Sequence, residues 1–102
     1  MNSLTLEDKG LFKVTTWSGT VYTFLFDENG KSGFRNPPES LHNPKEIRKG
    51  LTLLGNKSMM FDVDTLHCIV GKPMYMDIIG GTYGLDWISS TEVVSIERIE
   101  ND

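Results

Sequence analysis

Arg35, His42, Lys45, Arg48 and Lys49 gather basic and titratable side chains within a short stretch of a chain whose formal net charge is -4. Between residues 31 and 57, Lys31, Arg35, Lys45, Arg48, Lys49 and Lys57 face only Glu39 and Glu46, a local net charge of +4. Residues 1–30 carry -2 and residues 58–102 carry -6. A guanidinium can grip a phosphate through two parallel hydrogen bonds, and a neighbouring ring from Phe34, Trp17 or Tyr83 could stack a base. A patch this small suits a mononucleotide or cyclic nucleotide. Coating an extended nucleic acid needs many neutralised phosphates, which an acidic chain does not supply. The competing reading of the same residues is a solvated surface that pairs with the acidic C-terminal half, in the same chain or in a second subunit.

Other constellations are weaker. Asp62-x-Asp64 near His67 offers oxygen and nitrogen ligands for a divalent ion, yet paired aspartates more often stabilise a turn by bonding the local backbone, so no metal is expected. His42, His67 and Cys68 lack zinc-site spacing. Gly-x-Ser-x-Gly is absent, and Gly80-Gly81-Thr82-Tyr83-Gly84 lacks the Gly-Lys-Ser/Thr ending of a phosphate-binding loop. No catalytic residue and no cofactor are expected, and the chain does not read as an enzyme. Cys68 is the single cysteine and reads as a buried thiol in a reducing compartment. The glycine-rich loop reads as a mobile hairpin end.

The elements that must position these residues are mostly strands. Leu11–Thr16, Thr20–Phe26 and Lys31–Arg35 combine β-branched and aromatic residues, separated by Ser18-Gly19 and Asn29-Gly30 turn signals, and predict a three-stranded antiparallel meander over 11–35. Pro37 and Pro38 end it. Asn43 and Pro44 open one short helical turn that Gly50 closes. Leu51–Leu54 and Lys57–Asp62 flank a possible turn at Gly55-Asn56, and His67–Val70 and Met74–Ile79 supply further strands. Ser89 and Glu92 have capping-box spacing, which predicts a single turn before a last strand from Val93. Val93, Ile96 and Ile99 leave a final helix over 90–100 as the alternative. Residues 1–102 thus read as one all-β domain, a small antiparallel barrel or sandwich with one short helical turn, compatible by analogy with an SH3-like barrel.

Tyr22, Phe24 and Phe26 alternate with Val21 and Leu25, so both faces of one strand are apolar, and Met59-Met60-Phe61 and Met74-Tyr75-Met76 repeat the theme. In a domain of this size such surplus suggests a homo-oligomer. No apolar run is long enough to cross a bilayer as a helix, and the N-terminus lacks a signal-peptide order, so a cytoplasmic location is expected.

Val14–Tyr22, Gly71-Lys72-Pro73-Met74 and Ser90–Glu97 together resemble small β-rich proteins encoded by tailed bacteriophages. The resemblance covers a minority of the chain and implies no functional residue. It does imply an accessory protein of a phage, working in the host cytoplasm by binding a host protein or a ligand such as a nucleotide signal. The expected function is therefore non-enzymatic capture of a small anionic ligand or a host factor through 31–57. The alternative is a structural or assembly component of a phage particle.

Overall fold

Strand pairing runs in sequence order. A computed structural model describes residues 1–28, 30–35, 59–81 and 87–100. It contains β1 (Ser3–Leu4), β2 (Gly10–Thr16), β3 (Val21–Asp27), β4 (Gly30–Arg35), β5 (Met59–Ile69), β6 (Pro73–Gly81) and β7 (Trp87–Glu100). From β2 onward each strand pairs antiparallel with the next, and β7 pairs back onto β2. The result is a closed antiparallel barrel, with β1 added beside the end of β5 through Ser3 opposite Ile69 and Leu4 opposite Cys68. Of the all-β barrel or sandwich expected from the sequence, the chain forms the barrel.

Closure depends on two long strands that each serve several neighbours. β5 pairs with β4 through Met59–Asp62, with β6 through Phe61–His67 and with β1 through Cys68–Ile69. β7 lies against β6 through Trp87–Glu92 and against β2 from Val93 to Glu100. Register shifts interrupt these ladders between Phe61 and Asp62, Val63 and Thr65, Pro73 and Tyr75, and Thr15 and Thr16. Such bulges add local twist, which lets a strand bend from one side of a small barrel to the other.

The meander over 11–35 stands as read. Gly19 takes a φ of 90°, open to glycine without strain, while the Thr16 amide donates to the Thr20 carbonyl at 3.0 Å to close the β2–β3 turn. At the next turn Asp27 is paired with Gly30, whose amide donates to Asp27 Oδ1 at 3.2 Å, so Gly30 belongs to the ladder and not to the loop.

Three readings need correction. Asp62-x-Asp64 is not a turn: both aspartates lie exposed within the continuous strand β5, alternating with buried Phe61 and Val63. Ser89–Glu92 is not a helical turn either, because β7 is extended throughout. There Ser90 Oγ accepts from the Met74 amide at 3.1 Å, and Thr91 Oγ1 accepts from the Ser18 amide at 3.1 Å, so the hydroxyls stitch neighbouring segments to the strand. This also settles 90–100 as strand rather than helix. Gly80 and Gly81 end β6 rather than lying in a loop. The short helical turn at 44–50 and the turn at Gly55-Asn56 lie outside the described residues.

The interior is filled by alternate side chains. Phe12, Val14, Tyr22, Phe24, Phe26, Phe61, Val63, Met74, Met76, Ile78, Ile88, Val93 and Ile96 form one buried cluster, with Leu4 and Cys68 at its margin by β1. Phe24 is the hub of its aromatic part, 5.4 Å from Phe26 and 6.4 Å from Phe61 between ring centroids. Gly33 lies opposite both Phe24 and Phe61, and a Cβ there would stand 2.5 Å from Phe61 Cε2, so the absence of a side chain makes room for the rings. On the other face of β2–β3–β4, Leu11, Leu25 and Phe34 are fully buried as well. From Tyr22 to Phe26, β3 is thus buried on both faces.

Candidate functional site

Of the predicted ligand-binding residues, Arg35 is described; His42, Lys45, Arg48 and Lys49 lie outside the described residues, as does Tyr83. Arg35 is the last residue of β4, opposite Tyr22 on β3 and Met59 on β5. Because Tyr22 points into the core, its partner Arg35 shares the inner face of the sheet. Its Nε is buried with no hydrogen-bond partner among the described residues. A buried donor left unpaired costs about 1–3 kcal/mol, more when the group is charged.

Cations elsewhere on the inner face are differently placed. Arg98 lies over the Phe12 ring at 4.7 Å and donates to the Lys9 carbonyl. Lys31 stands 5.7 Å from the Phe26 centroid. These two contacts lie where Phe12, Phe26, Lys31 and Arg98 meet across β7–β2–β3–β4. Arg35 sits at the opposite end of β4, where the chain leaves the described sheet and re-enters it at Met59, directly opposite. It leaves again at Gly81, beside Phe61.

The rings suggested for stacking a base separate cleanly. Phe34 is wholly buried and unavailable to any ligand: the strand alternation that turns Arg35 inward turns Phe34 to the opposite, covered face. Trp17 is 76% exposed in the β2–β3 turn, four residues before Val21. It is the one described ring among those candidates that is open to a ligand.

A second constellation was not apparent from spacing along the chain. On the outer face of β5–β6–β7, Thr65 lies opposite Asp77 and His67 opposite Tyr75, while Asp77 and Tyr75 lie opposite Trp87 and Ser89. The Tyr75 and Trp87 rings are 6.2 Å apart with planes within 21° of parallel, and His67 is 6.2 Å from Tyr75 on the other side. Thr65 Oγ1 donates to Asp77 Oδ2 at 2.7 Å and Tyr75 Oη donates to Asp77 Oδ1 at 2.8 Å. These two bonds hold the Asp77 carboxyl below the usual carboxylate range, Thr65 contributing most, and the same carboxylate raises the Tyr75 hydroxyl above its ordinary value. The available signal was alternation: Met74 and Met76 facing in force Tyr75 and Asp77 to face out. The pairing with Thr65 and Trp87 is not local and cannot be read from that period.

Cys68 is buried beside Leu4, and burial pushes its thiol up to about 12, far from a reactive thiolate. No cluster of three or more metal-ligating side chains exists among the described residues. Among them, too, no helix is long and apolar enough to cross a membrane. No family model, curated protein or solved structure matches the chain.

Proposed function

We propose that this chain is a non-enzymatic binding protein whose barrel holds a small anionic, nucleotide-like ligand at the end where β4 finishes. The observation that supports this is the buried Arg35 Nε, which has no acceptor among the described residues. An incoming phosphate oxygen would supply one, in a setting where charge-assisted bonds are strongest. The surplus of positive charge in 31–57 favours the same ligand class, with His42, Lys45, Arg48 and Lys49 as the further candidate contacts. Exposed Trp17 is the candidate stacking ring. The resemblance to phage proteins adds a setting, the host cytoplasm, in which sequestering a nucleotide signal or a host factor would be useful.

The test is thermal unfolding with inorganic phosphate, mononucleotides and cyclic dinucleotides as probes. A ligand that binds only the folded state stabilises it by about 2.7 kcal/mol at a hundredfold excess over Kd, so the midpoint should rise with ligand concentration. Arg35→Met should remove the rise. A midpoint unmoved by every probe, or moved equally in the variant, rejects the reading.

A second reading, a structural or assembly component of a phage particle, is favoured by the exposed apolar side chains of Ile69, Ile79 and Trp87 on the outer surface. Self-association is expected of the binding reading as well, so assembly alone does not single this reading out. Its signature is concentration-dependent assembly with no response to anions.

A further inference from the structure

The outer face of β5–β6–β7 has the opposite chemistry to the Arg35 end. Tyr75 and Trp87 form a nearly parallel ring pair, both substantially exposed, at 40% and 54%. Asp77 lies against them with both carboxylate oxygens already oriented by hydroxyl donors, and Asp62 and Asp64 are exposed further along β5. None of the described outward-facing residues on this face is Lys or Arg; the nearest in sequence, Lys72, lies in the β5–β6 turn.

We propose that this face docks an arginine side chain presented by a partner protein, with the guanidinium stacked on Tyr75 and Trp87 and paired with Asp77. Charge complementarity selects a cation, because the face carries the carboxylates of Asp62, Asp64 and Asp77 beside the exposed rings of Tyr75 and Trp87. Hydrogen-bond donation from Tyr75 to an ionised carboxylate draws electron density into the phenol ring and strengthens its attraction for a cation. Planarity selects arginine over lysine: a flat guanidinium can lie on a ring and still direct its edge at a carboxylate whose orientation is fixed. The occupant is a protein rather than a free small cation because Ile79, 59% exposed beside the aspartates, extends the face with apolar surface that a small ion would leave wet. The inference does not depend on the anion reading of Arg35.

The test uses Trp17→Phe protein, in which Trp87 is the sole remaining tryptophan and reports through its emission. The probes are a short Gly/Arg peptide, its Lys and Glu counterparts, and a neutral oligosaccharide such as maltotetraose. The Arg peptide should change Trp87 emission saturably and bind several-fold tighter than the Lys peptide, with no response to the Glu peptide. Asp77→Asn, which keeps the size of the side chain but removes its charge, should weaken the Arg peptide by about tenfold. Tyr75→Phe, which keeps the ring but frees Asp77, should weaken it less. Urea midpoints close to the parent's would show that these variants remain folded. Absence of any saturable change with the Arg peptide, equal binding by the oligosaccharide or the Glu peptide, or an Asp77→Asn protein that binds as the parent does would each overturn the proposal.

Discussion

In the β2–β3–β4 half of the barrel burial extends to the reverse of the sheet around β3, whereas the β5–β6–β7 half is buried only inside. In the first half, Phe12, Phe24 and Phe26 face the core while Leu11, Leu25 and Phe34 are equally buried on the reverse. In the second, Met74, Met76 and Ile78 fill the core while Tyr75, Asp77 and Ile79 stand outside. A strand covered on both sides is constrained almost everywhere by packing. One with a wet side has positions at which a side chain can change without altering the fold, and recognition can be placed there at little cost to stability.

The largest expected effect tests that division directly. Phe34→Ala should destabilise the protein by about 3–5 kcal/mol, the range for truncating a buried aromatic, although Phe34 is not part of the interior cluster. Trp87→Ala, removing a larger side chain, should change stability by no more than about 0.5 kcal/mol. Urea unfolding of the two variants checks both, and similar losses would erase the distinction between the halves. Next comes Gly33→Ala, expected to cost about 1–3 kcal/mol because the new methyl meets the Phe61 ring at 2.5 Å and the Phe24 ring at 3.1 Å. Pairing it with Phe61→Leu should restore part of the loss in a double-mutant cycle. Arg35→Met should be smaller and opposite in sign: without ligand it should stabilise by about 1 kcal/mol, since it removes a buried donor that has no acceptor among the described residues. A clear loss of stability would mean that the guanidinium supports the fold rather than a ligand.

The last effect is a pH dependence, absent at neutral pH. The folded protein holds the Cys68 thiol at about 12 against an ordinary value of 9.0, so the unfolded chain ionises first. Stability from this group is complete below pH 9.0 and declines as pH rises from there toward about 12. Cys68→Ala should flatten that alkaline decline relative to the parent, measured as the slope of unfolding free energy against pH.

The legibility of the sequence follows the same division. The meander could be read because β3 alternates without interruption and Gly19 marks its turn. β5 is legible only at its ends, in Lys57–Asp62 and His67–Val70, because paired aspartates resemble a turn and the period of two is lost just beyond them, where the register shifts between Val63 and Thr65. β7 was obscured by Ser89, Ser90 and Thr91, a polar run that is extended because its hydroxyls find partners on β6 and the β2–β3 turn, which are distant in sequence. Arg35 could be chosen for its charge, but its unpaired Nε is a property of the folded barrel. The Thr65–Tyr75–Asp77–Trp87 face is not legible because its members come from three strands, and only pairing brings Thr65 and Trp87 to Asp77.

One feature of the topology governs how the molecule can be made. Every strand from β2 to β6 finds its partner in the next segment to be synthesised, but the last seam joins β7 to β2 across most of the chain. Hairpins can therefore assemble progressively as the polypeptide leaves the ribosome, while β2 retains an open hydrogen-bonding edge until β7 has been made. Nascent chains stalled before β7 are the species on which chaperones, or a neighbouring copy's strand, would act.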